Sequence, residues 1–209
     1  SINSDNVYQG FTWSGLLLLL CVCLARYFRQ SPQPLINIAL TLFGVVYVVA
    51  PLALMISILH FPQHTISPSG GMWLAYLLVV TKMTDVGGYI VGKKWGKLPL
   101  APKLSPKKTK EGALAGAVAS VAASIAFCFL SQYFQLENFN ISFLGSIFLG
   151  CSIAFFAMLG DLGESLLKRD ANVKDSNQLP GLGGFLDLLD SLVFTTPALY
   201  IFLVLRGAL

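Results

Sequence analysis

The segment GDLGESLLKRDANVKDSNQLPGLGGFLDLLDS, residues 160–191, concentrates polar and charged side chains in a chain that is otherwise mostly apolar. Its first part predicts a helix end, because polar residues at i, i+3, i+4 and i+7 share one helical face. These residues are Asp161, Glu164, Ser165 and Lys168. The spacing i, i+3, i+4 recurs at the start of the next apolar run, at Asp187, Asp190 and Ser191. The segment therefore predicts two helices with acidic faces, joined by a polar loop.

The loop between these faces carries charge of both signs and ends in a glycine-rich turn. Lys174 and Asp175 lie in its middle, and residues 180–184 read PGLGG. Carboxylates suit hard cations such as Mg²⁺, and basic side chains suit phosphate oxygens. Glycine also lets backbone N–H groups approach a phosphate closely. This combination is typical of a site that holds a divalent cation and a phosphate chain.

The composition indicates a membrane environment. Of the 209 residues, 55% are hydrophobic and 11% are charged, whereas a soluble domain carries roughly 25% charged residues. Six apolar segments have roughly the 20 residues that are needed to cross the hydrocarbon layer. They are residues 11–28, 35–59, 72–92, 113–133, 141–159 and 186–205. We therefore predict an all-α, polytopic integral membrane protein with about six transmembrane helices and a polar cavity that faces the cytoplasm.

The placement of Lys and Arg predicts the orientation of these segments. With the N-terminus outside, all but two of the 14 basic residues lie in three loops on the cytoplasmic side, as the positive-inside rule requires. The exceptions are Lys82, inside a segment, and Arg206, near the C-terminus. Loops 93–112 and 161–186 are therefore expected on the same cytoplasmic side, where nucleotide is found.

Two charged residues lie inside the third apolar segment. Lys82 and Asp85 are i, i+3 neighbours, and a charge at membrane depth costs roughly 3 kcal/mol or more. We expect the pair to face the protein interior or a wet cavity. It is either a local ion pair that adjusts helix packing, or part of a site in which Asp85 faces the same cavity as the acidic residues of segment 160–191.

The loop 93–112 is strongly basic. A lysine cluster beside a membrane most often interacts with anionic lipids, at about 1 kcal/mol per charge, but lysines also hold phosphate groups. The two interpretations are compatible. At the end of this loop, Gly112 and Gly116 have the small-xxx-small spacing that predicts close helix packing.

Three stretches together resemble the CDP-diacylglycerol synthase (phosphatidate cytidylyltransferase) family. The first is Ser165, Lys168-Arg169, Lys174-Asp175, Pro180-Gly181-x-Gly183-Gly184 and Leu186-Asp187-x-x-Asp190-Ser191. The second is residues 85–93, DVGGYIVGK, and the third is residues 101–109, APKLSPKKT. This chain has Leu182, Leu188 and Lys110 where the family usually has His, Arg and Trp.

The resemblance implies that CTP and phosphatidate react to give CDP-diacylglycerol and pyrophosphate. It implies catalytic roles for Asp161, Lys168, Asp187 and Asp190, and metal binding by Asp161, Glu164 and Asp187. The implied substrate-binding residues are Asp85, Lys103, Ser105, Lys107, Lys108, Thr109, Ser165, Arg169, Lys174, Asp175, Gly183, Gly184 and Ser191. The expected cofactor is Mg²⁺. The site is expected to hold one or two cations, and the second could be a monovalent one.

The resemblance also implies an organisation for the whole chain. Residues 72–209 are expected to form the catalytic region, and residues 1–71 an N-terminal scaffold of transmembrane helices with possible dimer contacts. The expected partners are CTP, phosphatidate in the inner leaflet and a second copy of the chain, with no nucleic acid. The expected location is a bacterial inner membrane or its equivalent.

Three alternatives remain open from the sequence. A CTP-dependent kinase of a polyprenol or phytol would transfer the γ-phosphoryl group to an alcohol instead. A cation transporter would line a path with residues such as Lys82, Asp85, Asp161 and Asp187. An inactive relative would act only as a binding or scaffold protein, an option that Leu182 and Leu188 keep open.

Overall fold

The computed structural model describes most of the chain from Gln33 onward. The described residues are 15, 18, 20–22, 24–26, 33–60, 70–135, 139, 141–171 and 185–207, without the side chains of 185–188. Contacts divide the chain into two compact units, Ser1–Ala50 and Pro51–Leu209. The predicted first segment, 11–28, lies mostly outside the described residues, and those of its residues that are described are helical.

Five long helices and one small sheet make up the described part of the chain. The helices are α1 (Pro34–Leu59), α2 (Gly70–Trp95), α3 (Lys110–Tyr133), α4 (Phe143–Asp170) and α5 (Phe185–Gly207), and the strands are β1 (Pro99–Ala101) and β2 (Ser105–Thr109). All five helices contain a stretch that is long and apolar enough to cross a membrane. The predicted fold class, an all-α polytopic membrane protein, is therefore confirmed.

The helix α4 joins a membrane span to the polar face predicted at residues 161–168. It begins where the Ser142 side chain accepts a hydrogen bond from the Gly145 N–H, and it runs without interruption to Asp170. Serine is a favoured N-cap residue because it satisfies an N–H group that has no partner inside the helix. The predicted helical face of Asp161 and Glu164 therefore extends the span directly.

The basic loop contains a structure that the sequence analysis did not predict. Strands β1 and β2 pair in antiparallel fashion, with Pro99 opposite Thr109 and Ala101 opposite Ser105. The Glu111 carboxylate accepts hydrogen bonds from the N–H groups of Lys97 and Leu98, which ties the entry of the hairpin to the first turn of α3. The strands are too short, and too rich in proline and lysine, to show alternating hydrophobicity.

Glycines allow α2 and α3 to pack closely. A Cβ atom at Gly87 would lie 2.6 Å from Ala119 Cβ, and one at Gly116 would lie 2.7 Å from the Thr84 carbonyl oxygen. A Cβ at Gly112 would likewise lie 2.8 Å from the Gly88 carbonyl oxygen. The predicted packing role of the Gly112/Gly116 pattern is therefore confirmed.

The buried core surrounds the N-terminal half of α2. Trp73, Tyr76 and Leu77 are almost fully buried, and the Tyr76 hydroxyl lies 2.6 Å from Ser124 Oγ, which donates to the Ser146 carbonyl oxygen. The C-terminal half of α2 carries Asp85, so the packed core and the polar residues occupy successive parts of the same helix.

Candidate functional site

A cavity of about 680 Å³ opens between α2, the β1–β2 hairpin, α3, α4 and α5. Charged residues from four of these elements line it: Asp85, Lys93, Lys107, Lys108, Asp161 and Asp190. Helix α3 contributes small residues, including Gly112 and Gly116, so the wall that it forms is close to its backbone. The cavity thus combines carboxylates and lysines on a small-residue wall, within a protein of low overall charge.

The carboxyl groups come from three different helices. Asp85 lies on α2, Asp161 on α4 and Asp190 on α5, and Asp190 is only 8% exposed. The Asp190 carboxyl neighbours those of Asp161 and Glu164. Carboxylates this close repel one another unless a proton or a positively charged group lies between them.

Close backbone packing positions Asp190 against α4. A Cβ atom at Gly160 would overlap the Asp190 carbonyl group and approach Ser191 Cα to 3.1 Å. Only glycine at this position allows α5 to lie so near α4, one residue before Asp161. The neighbouring positions of the Asp161 and Asp190 side chains therefore depend on a residue that has no side chain itself.

The β1–β2 hairpin brings lysines to the acidic residues. Lys108 Nζ lies 2.7 Å from Asp161 Oδ2, and both side chains are partly buried. Arg169 Nε donates to the Leu104 carbonyl oxygen at 3.4 Å, which provides a second contact between the hairpin and α4. Lysine ammonium groups held in this way can bind phosphate oxygens.

Lys82 connects α2 to α5 and is not among the residues that line the cavity. Its Nζ lies 3.0 Å from Asp85 Oδ2 and 3.2 Å from Ser191 Oγ. The Ser191 hydroxyl lies 3.5 Å from Asp85 Oδ2, and the Ser191 N–H donates to the Asp190 carboxylate. Asp85 therefore fits both interpretations from the sequence. It forms the local ion pair with Lys82, and it lines the same cavity as Asp161.

Seven of the predicted site residues meet at the cavity: Asp85, Ser105, Lys107, Lys108, Thr109, Asp161 and Asp190. Lys103 is exposed. Lys168 pairs with Glu164 at 2.9 Å, and the Ser165 hydroxyl donates to the Asp161 carbonyl oxygen. Arg169 contacts the hairpin and Ser191 contacts Lys82, as described above.

The remaining predicted residues lie outside what the structure describes. They are Lys174, Asp175, Gly183 and Gly184, together with the side chain of Asp187, whose backbone belongs to α5. Their proposed roles stay predictions. Among the described residues, no group of three or more His, Cys, Asp or Glu side chains has an arrangement that could hold a metal ion.

Tyr89 and Lys93 line the cavity with polar groups, although neither was predicted as a site residue. Tyr89 and Lys93 follow Asp85 at i+4 and i+8, on the same face of α2, and Lys93 Nζ donates to the Tyr89 hydroxyl at 3.1 Å. Helical periodicity counted from Asp85 would have found them. Lys93 adds a third lysine to the cavity wall.

The fold and the site together define an integral membrane protein whose helices enclose a cavity lined by both carboxylates and lysines. Residues 4–206 match the cytidylyltransferase family, and the chain belongs to that family.

Curated relatives include a phosphatidate cytidylyltransferase of Chlamydia pneumoniae, 33% identical over 95% of this chain and 64% of its own length. That of Haemophilus influenzae is 34% identical over 89% of this chain and 64% of its length. That of Bacillus subtilis is 37% identical over 65% of this chain and 49% of its length. The chain therefore spans about half to two thirds of the length of these relatives.

Proposed function

We propose that this chain carries the active site of a phosphatidate cytidylyltransferase, which transfers the cytidylyl group of CTP to phosphatidate. The observation that carries the proposal is the meeting of Asp85, Asp161 and Asp190 with hairpin Lys108 in one cavity of a membrane-spanning bundle. The names of the curated relatives support the choice of substrates.

In the proposed reaction, a phosphate oxygen of phosphatidate attacks the α-phosphorus of CTP. A new P–O bond joins the two phosphates of CDP-diacylglycerol, and the bond between the α-phosphorus and the bridging oxygen to the β-phosphate breaks. Pyrophosphate leaves with that electron pair. Both reactants are anionic, so charge repulsion is the main barrier, and positioning with electrostatic stabilisation supplies most of the catalysis.

The lysines of the hairpin and of α2 supply positive charge for the phosphates. Lys107, Lys108 and Lys93 all line the cavity, and each ammonium group can donate to phosphate oxygens. Lys108 is paired with Asp161. We infer that Lys108 exchanges this carboxylate for a CTP phosphate when the substrates bind.

The donor set of the cavity fits Mg²⁺. Mg²⁺ is usually held by one or two carboxylates, with water and substrate phosphates completing its shell. Asp161 and Asp190 would hold the ion, with Asp187 as a further predicted ligand. When bound, Mg²⁺ would neutralise phosphate oxygens and stabilise the leaving pyrophosphate.

The location and assembly of the protein are also proposals. We propose that the cavity and the hairpin face the cytoplasm of a bacterial inner membrane, because the basic loops are on that side under the positive-inside rule. Phosphatidate would then enter from the inner leaflet with its acyl chains still in the bilayer. A homodimer stays a prediction from the family resemblance.

The proposal is tested with purified full-length protein in lipid nanodiscs that contain phosphatidate. With CTP and Mg²⁺, we expect equal amounts of pyrophosphate and CDP-lipid. A CTP-dependent lipid kinase would instead produce a lipid phosphate and CDP when it is given a polyprenol. A transporter would carry cations without nucleotide, and a scaffold protein would release no pyrophosphate.

A matched pair of variants distinguishes an effect on the cavity from a general effect of changing a charge on α4. Asp161→Asn changes a cavity carboxylate, whereas Asp170→Asn changes an exposed carboxylate at the end of the same helix. We expect the first variant to lose CDP-lipid formation and the second to keep it. Equal activities in the two variants would contradict the proposed site.

A further inference from the structure

The helices around the cavity do not pack equally well. Helices that are adjacent in sequence, α2 with α3, α3 with α4 and α4 with α5, have extensive contacts, whereas α2 and α5 contact each other much less. Yet α2 and α5 carry two of the cavity carboxylates, Asp85 and Asp190. The distance between these two groups therefore depends on a pair of helices with few direct contacts.

Lys82 lies at this weak contact. Its ammonium group is within hydrogen-bonding distance of Asp85 on its own helix and of Ser191 on α5. Ser191 in turn donates its backbone N–H to the Asp190 carboxylate. One positive charge thus contacts Asp85 on α2 and, on α5, the hydroxyl of the residue that follows Asp190.

The other described side-chain hydrogen bonds between α2 and α5 are longer, and the one between Thr81 and Thr195 carries no charge. Thr81 Oγ1 donates to Thr195 Oγ1 at 3.4 Å, and both residues are fully buried. Neither threonine lines the cavity. Thr81 is therefore a matched control for Lys82, because it is the adjacent residue, on the same helix, and contacts the same partner helix.

We propose that Lys82 is a positioning residue that holds Asp85 at a set distance from Ser191 and Asp190 and so keeps the cavity in its reactive geometry. This inference rests on the proposed function. Lys82 does not line the cavity, so it acts through Asp85 and Ser191 and does not touch the substrates. Without the Lys82 ammonium group, Asp85 loses its closest positive partner, and the described side-chain hydrogen bonds left between α2 and α5 are the longer Ser191–Asp85 and Thr81–Thr195 contacts.

The expected effect is on turnover more than on CTP binding. The hairpin lysines remain in place, so the KM for CTP should change less than about threefold. A misplacement of about 1 Å in a reacting group can cost on the order of 100-fold in rate, so we expect kcat to fall at least about 10-fold. Arginine keeps the positive charge and the hydrogen-bond donors, and should restore most of kcat.

The experiment compares wild type, Lys82→Met, Lys82→Arg and Thr81→Val in nanodiscs, with CDP-lipid formation and thermal unfolding measured on each. We expect Lys82→Met to lose kcat at temperatures where it remains folded and to keep a CTP-induced thermal shift. Thr81→Val should keep wild-type kcat. The proposal is overturned if Lys82→Met retains kcat within about twofold of wild type, or if Thr81→Val loses as much.

Two further results complete the test. If Lys82→Met does not fold, Lys82→Gln, which keeps hydrogen-bond donors without the charge, is judged by the same criteria. If neither neutral variant folds while Thr81→Val does, Lys82 has a structural role and the positioning role is rejected. A wild-type protein that forms no CDP-lipid refutes the proposed function, whereas an active wild type with an equally active Lys82→Met refutes only the role of Lys82.

Discussion

Replacement of Gly116 by alanine tests whether the spacing of α2 and α3 controls the cavity. The new Cβ would lie 2.7 Å from the Thr84 carbonyl oxygen and 3.3 Å from Thr84 Cγ2. Thr84 precedes Asp85, and Gly116 itself lines the cavity. Because non-bonded heavy atoms are in favourable van der Waals contact at about 3.5 Å, the two helices must separate locally by roughly 0.5–1 Å.

The magnitude of the effect follows from this displacement. Overpacking of a tight contact costs about 1–3 kcal/mol, and alanine recovers up to about 1 kcal/mol of helix propensity relative to glycine. We expect a net destabilisation of about 1–2 kcal/mol. Since the separation shifts Asp85 relative to Asp161, we expect CDP-lipid formation to fall about 10-fold or more.

Thermal unfolding in detergent and CDP-lipid formation in nanodiscs measure the two effects. Gly44→Ala is the matched control, because Gly44 is inside α1 and a Cβ there meets nothing within 4 Å. It should leave activity unchanged and stability equal or slightly higher. If Gly116→Ala unfolds at the wild-type temperature with full activity, close glycine packing does not set the geometry of the site.

Four further predictions concern the cavity directly. Lys108→Met should reduce kcat/KM for CTP by about 10–100-fold, from the loss of roughly 1.5–3 kcal/mol of charged hydrogen bonding, and a change under twofold in steady-state assays would argue against a phosphate contact. Gly160→Ala should unfold at a lower temperature and lose activity, because its Cβ overlaps the Asp190 backbone; a wild-type melting curve would contradict this packing. Asp187→Asn should abolish Mg²⁺-dependent turnover while the protein remains folded, and near-wild-type activity would remove Asp187 from the metal site. Chelation with EDTA should stop pyrophosphate release and Mg²⁺ should restore it, whereas activity that persists after chelation would rule out a required divalent cation.

The fold class was accessible from the sequence because a bilayer imposes a simple physical requirement. A segment that crosses it must be about 20 residues long and apolar, and its backbone must be satisfied within the helix. Five of the six predicted segments correspond to described helices. The hairpin at residues 99–109 was missed, since its two short strands, rich in proline and lysine, show no hydrophobic period.

Features that depend on residue spacing along one helix were also accessible. The ion pair of Lys82 with Asp85 and the packing role of Gly112 and Gly116 follow from helical spacing alone. The family resemblance, carried by motifs in three separate stretches, was confirmed by the match of residues 4–206. In each case the relevant information lies within a few turns of one helix or in a contiguous motif.

Only the tertiary structure decided which charged groups meet across helices. Asp85, Asp161 and Asp190 line one cavity, and Lys82 reaches Ser191, which is 109 residues away in the chain. Such contacts depend on how each helix is rotated and how closely it crosses its neighbours. Here the close approach of α4 to α5 at Gly160 sets that geometry near Asp190, and a local sequence pattern contains neither the rotation nor the crossing distance.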